Sequence, residues 1–144
     1  MVSARLHDTH AVALRHGSAD VPVDTTLVGV VRRPTRWFAP VVDENRRALG
    51  PPAPVLDEFE RRCKRLKMRG LCEVAAHNAA WDELDVATRY RDHLATDDAA
   101  RAALADLRDR LRAGESLALV CYEDTAAKRC YRTLLREALS ERLD

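Results

Sequence analysis

Two short apolar segments constrain the fold of this chain more than any other feature. Residues 25–31 are rich in β-branched side chains, and residues 117–120 are an uninterrupted run of Leu, Ala, Leu and Val. A strand without polar alternation must be covered on both faces, as in a parallel sheet packed between helices. We therefore predict strands near 25–31 and 116–122 in a mostly parallel sheet.

The segments around these strands have the periodicity and the end signals of helices. Apolar residues recur at helical spacing after Pro54 and after Thr96, and Gly70 and Gly114 follow as stop signals. The predicted elements are clear helices near 54–69, 97–113 and 125–142, a less regular helix near 79–95, a short helix at 41–48 and a short strand at 11–14. The predicted fold class is α/β, a single three-layer domain over residues 1–144, with a mostly parallel sheet flanked by helices.

Composition and cysteine spacing exclude several classes of protein. The net charge of +1 predicts no membrane or nucleic-acid partner from overall charge alone. No segment approaches the ~18 apolar residues of a membrane span, and the first residues lack the apolar core of a secretion signal. The four cysteines have no CxxC spacing, so we expect free thiols in the cytoplasm, with two disulfides as the alternative.

Resident cofactors and metals are not expected. The five glycines form neither a GxGxxG nor a GxxxxGK array, which argues against a tightly held dinucleotide or a phosphate-binding loop. Cys121 and Cys130 are nine residues apart, which is not a spacing typical of zinc ligands. The sequence therefore predicts no cofactor and no metal.

Chemically useful side chains follow both predicted strands. Arg32 and Arg33 come directly after the first strand, and Cys121 and Glu123 end the second. Carboxyl ends of parallel strands meet at one edge of a sheet, where the start of the next helix also favours anions. We predict a pocket there, in which Arg32, Arg33 and Arg132 bind an anionic group. Glu123 would transfer protons, and Cys121 would line the pocket or act as a nucleophile.

Each of these assignments has a structural alternative. Cys121 could be an inert buried thiol, and Glu123 could form only an ion pair with Arg132 or Arg32. The other residues that we expect to line the pocket are Cys130, Tyr131, Trp37, His77 and Asn78. Trp37 could instead cover the edge of the core, and the adjacent His and Asn could be a satisfied buried pair.

One segment is strongly basic although the chain as a whole is balanced. Residues 61–69 carry six cations away from the apolar stripe of their helix, namely Arg61, Arg62, Lys64, Arg65, Lys67 and Arg69. Such a run is usually a solvated surface, and the functional alternative is a nucleic-acid-binding face.

The second strand and the residues after it resemble the domain-of-unknown-function 488 family, a widespread prokaryotic group. Its members typically carry a strand reading Cys-x-Glu and then Cys-His-Arg-Ser at a helix start. Cys121, Glu123, Cys130 and Arg132 match, and Thr133 stands where the family usually has Ser. Residues 25–34 resemble the family's earlier motif, a strand ending in Asp-Val-Arg before a proline. The resemblance implies an α/β sandwich and no agreed activity.

Two departures from the family pattern bear on the chemistry. Tyr131 replaces the family's His, and Gly29 or Val30 stands where its Asp would fall, with Arg32 displaced by one residue. Roles of that His and that Asp are therefore not transferred to this chain.

The functional prediction combines these observations. We expect a small enzyme that acts on an anionic, nucleotide-like or phosphate-bearing substrate at the two strand ends. One alternative is a non-catalytic nucleic-acid-binding module that uses residues 61–69. Another is a degenerate family member kept for protein contacts, with its cleft closed by Tyr131. Oligomeric state is not predicted.

Overall fold

A four-stranded parallel sheet organises the computed structural model, which describes residues 5–143. The strands are β1 (Leu6–His10), β2 (Thr26–Gly29), β3 (Glu44–Asn45) and β4 (Leu117–Cys121), in the spatial order β1-β4-β2-β3. β4 pairs with β1 from Leu6 opposite Leu117 to His10 opposite Cys121, and it pairs with β2 on its other side. The last strand in sequence therefore lies in the middle of the sheet.

Six α-helices accompany the sheet within the described residues. They are α1 (Ala11–Arg15), α2 (Ala53–Met68), α3 (Glu73–Glu83), α4 (Val86–Thr96), α5 (Asp98–Arg112) and α6 (Tyr131–Leu143), and short 3₁₀ helices span Ala39–Val41 and Arg47–Leu49. The sheet and these helices form an α/β domain, which confirms the predicted fold class. No helix in this part of the chain is long and apolar enough to cross a membrane.

Strand β4 lies at the centre of the core because both of its faces are covered. All five of its residues are buried, and Leu117, Ala118, Leu119 and Val120 have no exposed surface. Leucines of α5 and α6 belong to the same apolar cluster. Burying a leucine side chain fully is worth about 1.5–3 kcal/mol, so this cluster holds β4 in the centre of the fold.

The clearest helix signal at the level of sequence is confirmed at α5. The Asp97 side chain caps it by accepting a hydrogen bond from the Ala100 backbone N–H at 2.9 Å. Gly114 follows the helix with φ of +104°, a conformation that residues with a Cβ rarely adopt. Helix α2 runs over 53–68, within one residue of the prediction.

Four other expectations about elements are wrong. Residues 11–14, expected as a strand, belong to helix α1, and the strand is the preceding segment β1. Residues 41–48, expected as a helix, contain β3 between the two 3₁₀ helices. The single helix expected near 79–95 is α3 and α4, separated at Asp85, whose φ is +51°. Helix α6 begins at Tyr131 and not at 125.

The late start of α6 has a local cause. Asp124 turns the chain after β4, since its side chain accepts from the Ala126 N–H at 3.0 Å and its carbonyl accepts from the Lys128 N–H at 3.1 Å. Asn78 on α3 then holds two backbone groups of the segment, as described below. Cys130 therefore lies in a connection and not on the helix.

Candidate functional site

Two cysteine sulfurs lie in contact at the carboxyl end of β4. Cys121 is the last residue of the strand and Cys130 is the residue before α6. Their Sγ atoms are 3.0 Å apart, and both residues are buried with free thiols. The connection of residues 122–130 thus leaves β4 and brings the chain back to the point where the strand ends.

Arg132 lies beneath this thiol pair. Its Nη1 donates to Cys121 Sγ at 3.2 Å and to the Glu123 carbonyl at 3.2 Å. Its Nε donates to Asp8 Oδ2 on β1 at 2.9 Å, and it also donates to the Thr9 carbonyl. The residue is only 2% exposed, so the guanidinium is a buried charge satisfied on every side.

Arg132, predicted to bind the substrate anion, lies apart from the other predicted anion-binding arginines. Its guanidinium is used by Asp8, by backbone carbonyls and by the Cys121 sulfur, and the residue does not line the cavity described below. Its effect on chemistry acts through the thiol, because a cation against a sulfur favours the thiolate.

The two thiols differ in acidity. The Cys130 hydrogen bond, followed by the Arg132 charge, lowers the pKa of the Cys121 thiol, and these effects outweigh the opposing effect of burial. Burial raises the pKa of the Cys130 thiol well above its ordinary value, and the hydrogen bond to Cys121 acts in the same direction. Cys121 is thus the more acidic thiol of the pair, and Cys130 is the less acidic one.

A cavity of about 240 Å³ opens beside Cys121 and joins the ends of β2 and β4. Arg32 and Arg33 line it from the β2 side, and Cys121 and Glu123 line it from the β4 side. Much of the remaining wall is apolar or aromatic, contributed by Val31, Val55, Phe59, Trp81, Val86 and Tyr131. The arrangement offers cationic groups and a carboxylate around an apolar surface.

Arg32 is held in place by the loop before α2. Its Nε donates to the Pro51 carbonyl at 3.0 Å and its Nη2 donates to the Gly50 carbonyl at 3.2 Å. Gly50 is needed here because a Cβ at this position would lie 2.5 Å from the Arg32 backbone nitrogen. Arg33 is exposed and pairs with Asp57 of α2 at 2.8 Å, so it can exchange that partner for a ligand.

Glu123 pairs with a lysine and not with an arginine of the cavity. Lys128 Nζ lies 3.4 Å from Glu123 Oε2 and 3.5 Å from Glu73 Oε1. The ion pair with Arg132 or Arg32, considered as the structural alternative, is thus replaced by one with Lys128. About a third of the Glu123 side chain is exposed, so its carboxylate reaches the cavity and solvent.

His77 and Asn78 both hold the connection that precedes α6. His77 Nε2 donates to the Arg129 carbonyl at 2.6 Å. The Asn78 side chain donates to the Ala127 carbonyl and accepts from the Arg129 N–H, each at 3.0 Å. His77 also lines the cavity, whereas Asn78, expected to do so, does not.

Tyr131 forms part of the cavity wall. Burial raises the pKa of its hydroxyl well above the ordinary value, which disfavours the phenolate form. Its ring packs against Tyr90 with centroids 5.3 Å apart. A cavity of about 240 Å³ is open beside it, so the cleft is not closed as the protein-contact alternative requires.

Trp37 lies outside the cavity, contrary to expectation. Its ring contacts Tyr122 with centroids 5.5 Å apart, and the Arg15 guanidinium lies 5.0 Å above it. Tyr122 does line the cavity, and its hydroxyl accepts from the Thr35 N–H at 2.7 Å. Trp37 therefore packs against Tyr122, which is a residue of the cavity wall.

The basic residues of 61–69 lie beside the cavity on the surface of α2. Arg62 pairs with Glu83 at 2.5 Å and Lys67 lies 3.9 Å from Glu73, while Arg61, Lys64, Arg65 and Arg69 are exposed. An open groove of about 370 Å³ lined by Lys64, Lys67 and Lys128 adjoins the cavity, and both spaces share Glu123 in their walls.

Sequence reasoning missed several residues of the site. Asp8 and Thr9 lie on β1, which was not predicted, and they are the partners that fix Arg132. Arg129 also lines the cavity and pairs with Asp82. Within residues 5–143, no group of three or more His, Cys, Asp and Glu side chains is arranged to hold a metal ion.

Most of the chain matches a known family. A family model described as the active DUF488-N3 subclade matches residues 12–143. The comparison with curated proteins and the comparison with solved structures give no match.

Proposed function

The chain belongs to the DUF488 family, and from this membership and the geometry of its cavity we propose a small enzyme that acts on an anionic, nucleotide-like or phosphate-bearing substrate. The main support for the proposal is the cavity at the ends of two parallel strands, which Arg32 and Arg33 line on one side and Cys121 and Glu123 line on the other. Ligands of open α/β sheets bind at this edge. The matched subclade is also described as active.

The walls of the cavity favour a ligand with a ring and a separate anionic group. Phe59, Trp81 and Tyr131 provide flat apolar surface, and a ring buried against such surface gains free energy from area and from stacking. Arg33 and Arg129 are exposed guanidiniums at the same cavity, and guanidiniums bind phosphate or carboxylate through paired hydrogen bonds.

The proposed chemistry uses the thiol and the carboxylate. The Cys121 thiolate attacks an electrophilic atom of the substrate, and the bond to the leaving group breaks with its electron pair. Water then displaces the sulfur, which departs as a thiolate, while Glu123 accepts the proton of the water and passes it to the leaving group. Arg132 positions the thiolate and keeps it charged.

Binding is tested by thermal unfolding with defined probes. The probes are AMP, UMP and ribose 5-phosphate, with adenosine and inorganic phosphate as partial ligands. A probe present at 100 times its Kd stabilises the fold by about 2.7 kcal/mol, which raises Tm by several degrees. We expect the nucleotides to raise Tm more than adenosine does, and Arg33→Gln to reduce that difference.

Arg36→Gln is the matched control, because Arg36 is exposed near Arg33 and does not line the cavity. Equal Tm shifts for nucleotides and adenosine, or equal losses in the Arg33 and Arg36 variants, would refute the anionic substrate. Catalysis is tested by incubating the binding probe with protein and following its conversion. Cys121→Ser and Glu123→Gln should each reduce turnover by orders of magnitude, and unchanged turnover would remove their roles.

The exposed cations of residues 61–69, which border the groove beside the cavity, support nucleic acid as a second candidate ligand. The groove itself is balanced in charge, because Glu60, Glu73 and Glu123 lie in the same walls as its three lysines, so the exposed arginines and Lys64 would supply the contacts to phosphate. The test measures binding of single-stranded oligonucleotides at several salt concentrations. A steep linear decrease of log K with log salt is expected, and the charge reversals Lys64→Glu and Arg65→Glu should flatten it. Arg101→Glu on α5 is the control, and a slope equal in all variants contradicts this candidate.

A further inference from the structure

We propose that Cys121 and Cys130 are a peroxide-sensitive dithiol, in which oxidation joins the two sulfurs and reversibly removes the thiolate from the cavity. The inference goes beyond the proposed function, since it depends on the two sulfurs and on no particular substrate. It adds a site of covalent modification within the described residues.

The distance between the sulfurs supports direct bond formation. The Sγ atoms are 3.0 Å apart and a disulfide bond is about 2.05 Å long, so the sulfurs must approach by about 1 Å. Cys130 lies in the connection immediately before α6, so rotation of its side chain can shorten this distance without moving a residue inside the helix. The backbone on both sides of Cys130 is held, since His77 and Asn78 bind residues 127 and 129 and the Cys130 carbonyl accepts from the Thr133 N–H at 3.2 Å. The approach of the sulfurs therefore falls to the side-chain torsions of the two cysteines.

Access to the pair is selective by size. Both cysteines line the cavity, which is far larger than the ~15 Å³ that a water molecule requires, so a hydroperoxide of similar size can enter. Cys121 and Cys130 are nevertheless only 1% and 4% exposed. A bulky thiol cannot reach them without local opening, which favours a bond between the two cysteines over a mixed disulfide.

The surroundings of each sulfur divide the roles of the pair. The Arg132 guanidinium contacts the Cys121 sulfur at 3.2 Å. Within residues 5–143 no cationic side chain contacts the Cys130 sulfur in this way, and burial raises the pKa of the Cys130 thiol. A thiolate is the form that attacks a peroxide, so Cys121 is the sulfur oxidised first. Cys130 is the resolving thiol, already in contact with the atom it must attack.

The proposed reaction balances with a hydroperoxide as oxidant. The Cys121 thiolate attacks the terminal peroxide oxygen, the O–O bond breaks, and the leaving alkoxide or hydroxide takes a proton from water. Cys121 becomes a sulfenic acid. Cys130 then attacks the Cys121 sulfur, the S–O bond breaks, and the oxygen leaves as water with the proton of Cys130. The two sulfurs lose two electrons in total, and a dithiol reductant restores both thiols.

The experiment treats the folded full-length chain with one equivalent of hydrogen peroxide and then blocks remaining thiols with N-ethylmaleimide. Trypsin should release residues 113–128 joined to residues 130–132, because Arg112, Lys128, Arg129 and Arg132 are cleavage sites. We expect this linked peptide, and a mass loss of two hydrogens, before any oxidation of the exposed Cys72. Dithiothreitol should reverse the change.

Three variants make the test decisive. Cys130→Ser should stop the reaction at a sulfenic acid on Cys121, read as the added mass of one oxygen on the intact chain, and Cys121→Ser should abolish the linked peptide. Cys72→Ser is the control and should leave the linked peptide unchanged. Oxidation of Cys72 before Cys121, or no linked peptide in the folded wild-type chain, overturns the proposal. Because all readouts are masses, a failed substrate assay leaves this result interpretable, and failure here leaves the substrate proposal standing.

Discussion

Removing the Arg132 guanidinium is the perturbation whose cost follows most directly from the contacts. Arg132→Met keeps most of the volume but deletes the donors to Asp8, to the carbonyls of Thr9 and Glu123, and to the Cys121 sulfur. Breaking a buried ion pair by deleting one partner typically costs about 3–5 kcal/mol. Arg136 still donates to Asp8 in the variant, which moves the expected loss of stability toward the lower end of this range. The Thr9 and Glu123 carbonyls lose their partner, which increases the expected loss.

The assay is urea unfolding of wild type and variants at neutral pH, followed by circular dichroism. A domain of this kind has about 5–15 kcal/mol of stability, so the variant should remain folded but with a clearly lower midpoint. Arg136→Met is the matched control, since Arg136 shares Asp8 but is half-exposed, and such pairs are worth about 1 kcal/mol or less. A loss below about 1 kcal/mol for Arg132→Met, or equal losses in both variants, would refute the buried-charge reasoning.

Three further outcomes follow from the structure. Gly50→Ala places a Cβ against the Arg32 backbone, so it should cost about 1–3 kcal/mol in urea unfolding and weaken nucleotide binding, whereas an unchanged midpoint would contradict the tight fit. The hydrogen bond from Arg110 lowers the pKa of Glu44, so the unfolded chain binds more protons than the folded one in acid. The resulting contribution to the free energy of unfolding is present above the ordinary Glu pKa and is lost as pH falls below it, and Glu44→Gln should make the loss of stability in acid less steep. Asn78→Ala should speed amide hydrogen exchange in the connection before α6 without changing exchange in α5, and uniform exchange would show that the asparagine does not hold it.

The sequence predicts the centre of the fold well because the strands there consist mainly of apolar residues, which indicate burial on both faces. β2 and β4 consist of residues that need cover on both faces, and α5 carries a cap and a glycine stop. β1 lies at an edge of the sheet and mixes His, Asp and Thr with one buried leucine, so its pattern does not stand out.

The site is predicted in part for the same reason. Arg32 and Cys121 follow from the rule that parallel strand ends meet at one edge, and both line the cavity. The role of Arg132 could not be predicted, because its partner Asp8 lies 124 residues earlier on the strand that the pattern missed. The start of α6 does not follow from the sequence either, since Ala126 and Ala127 favour a helix, whereas Asp124 binds the Ala126 N–H and Asn78 binds the Ala127 carbonyl in a turn.

The central claim is that Cys121 carries a stabilised thiolate at the cavity between β2 and β4. Its most direct test is the rate of Cys121 alkylation by iodoacetamide, measured by peptide mass between about pH 5 and pH 9, in the folded chain and in the same chain unfolded in urea. The structure predicts that the folded profile rises at lower pH than the unfolded one, because Cys130 and Arg132 lower the pKa of the Cys121 thiol. Coincident profiles, or a folded profile displaced to higher pH, would contradict it.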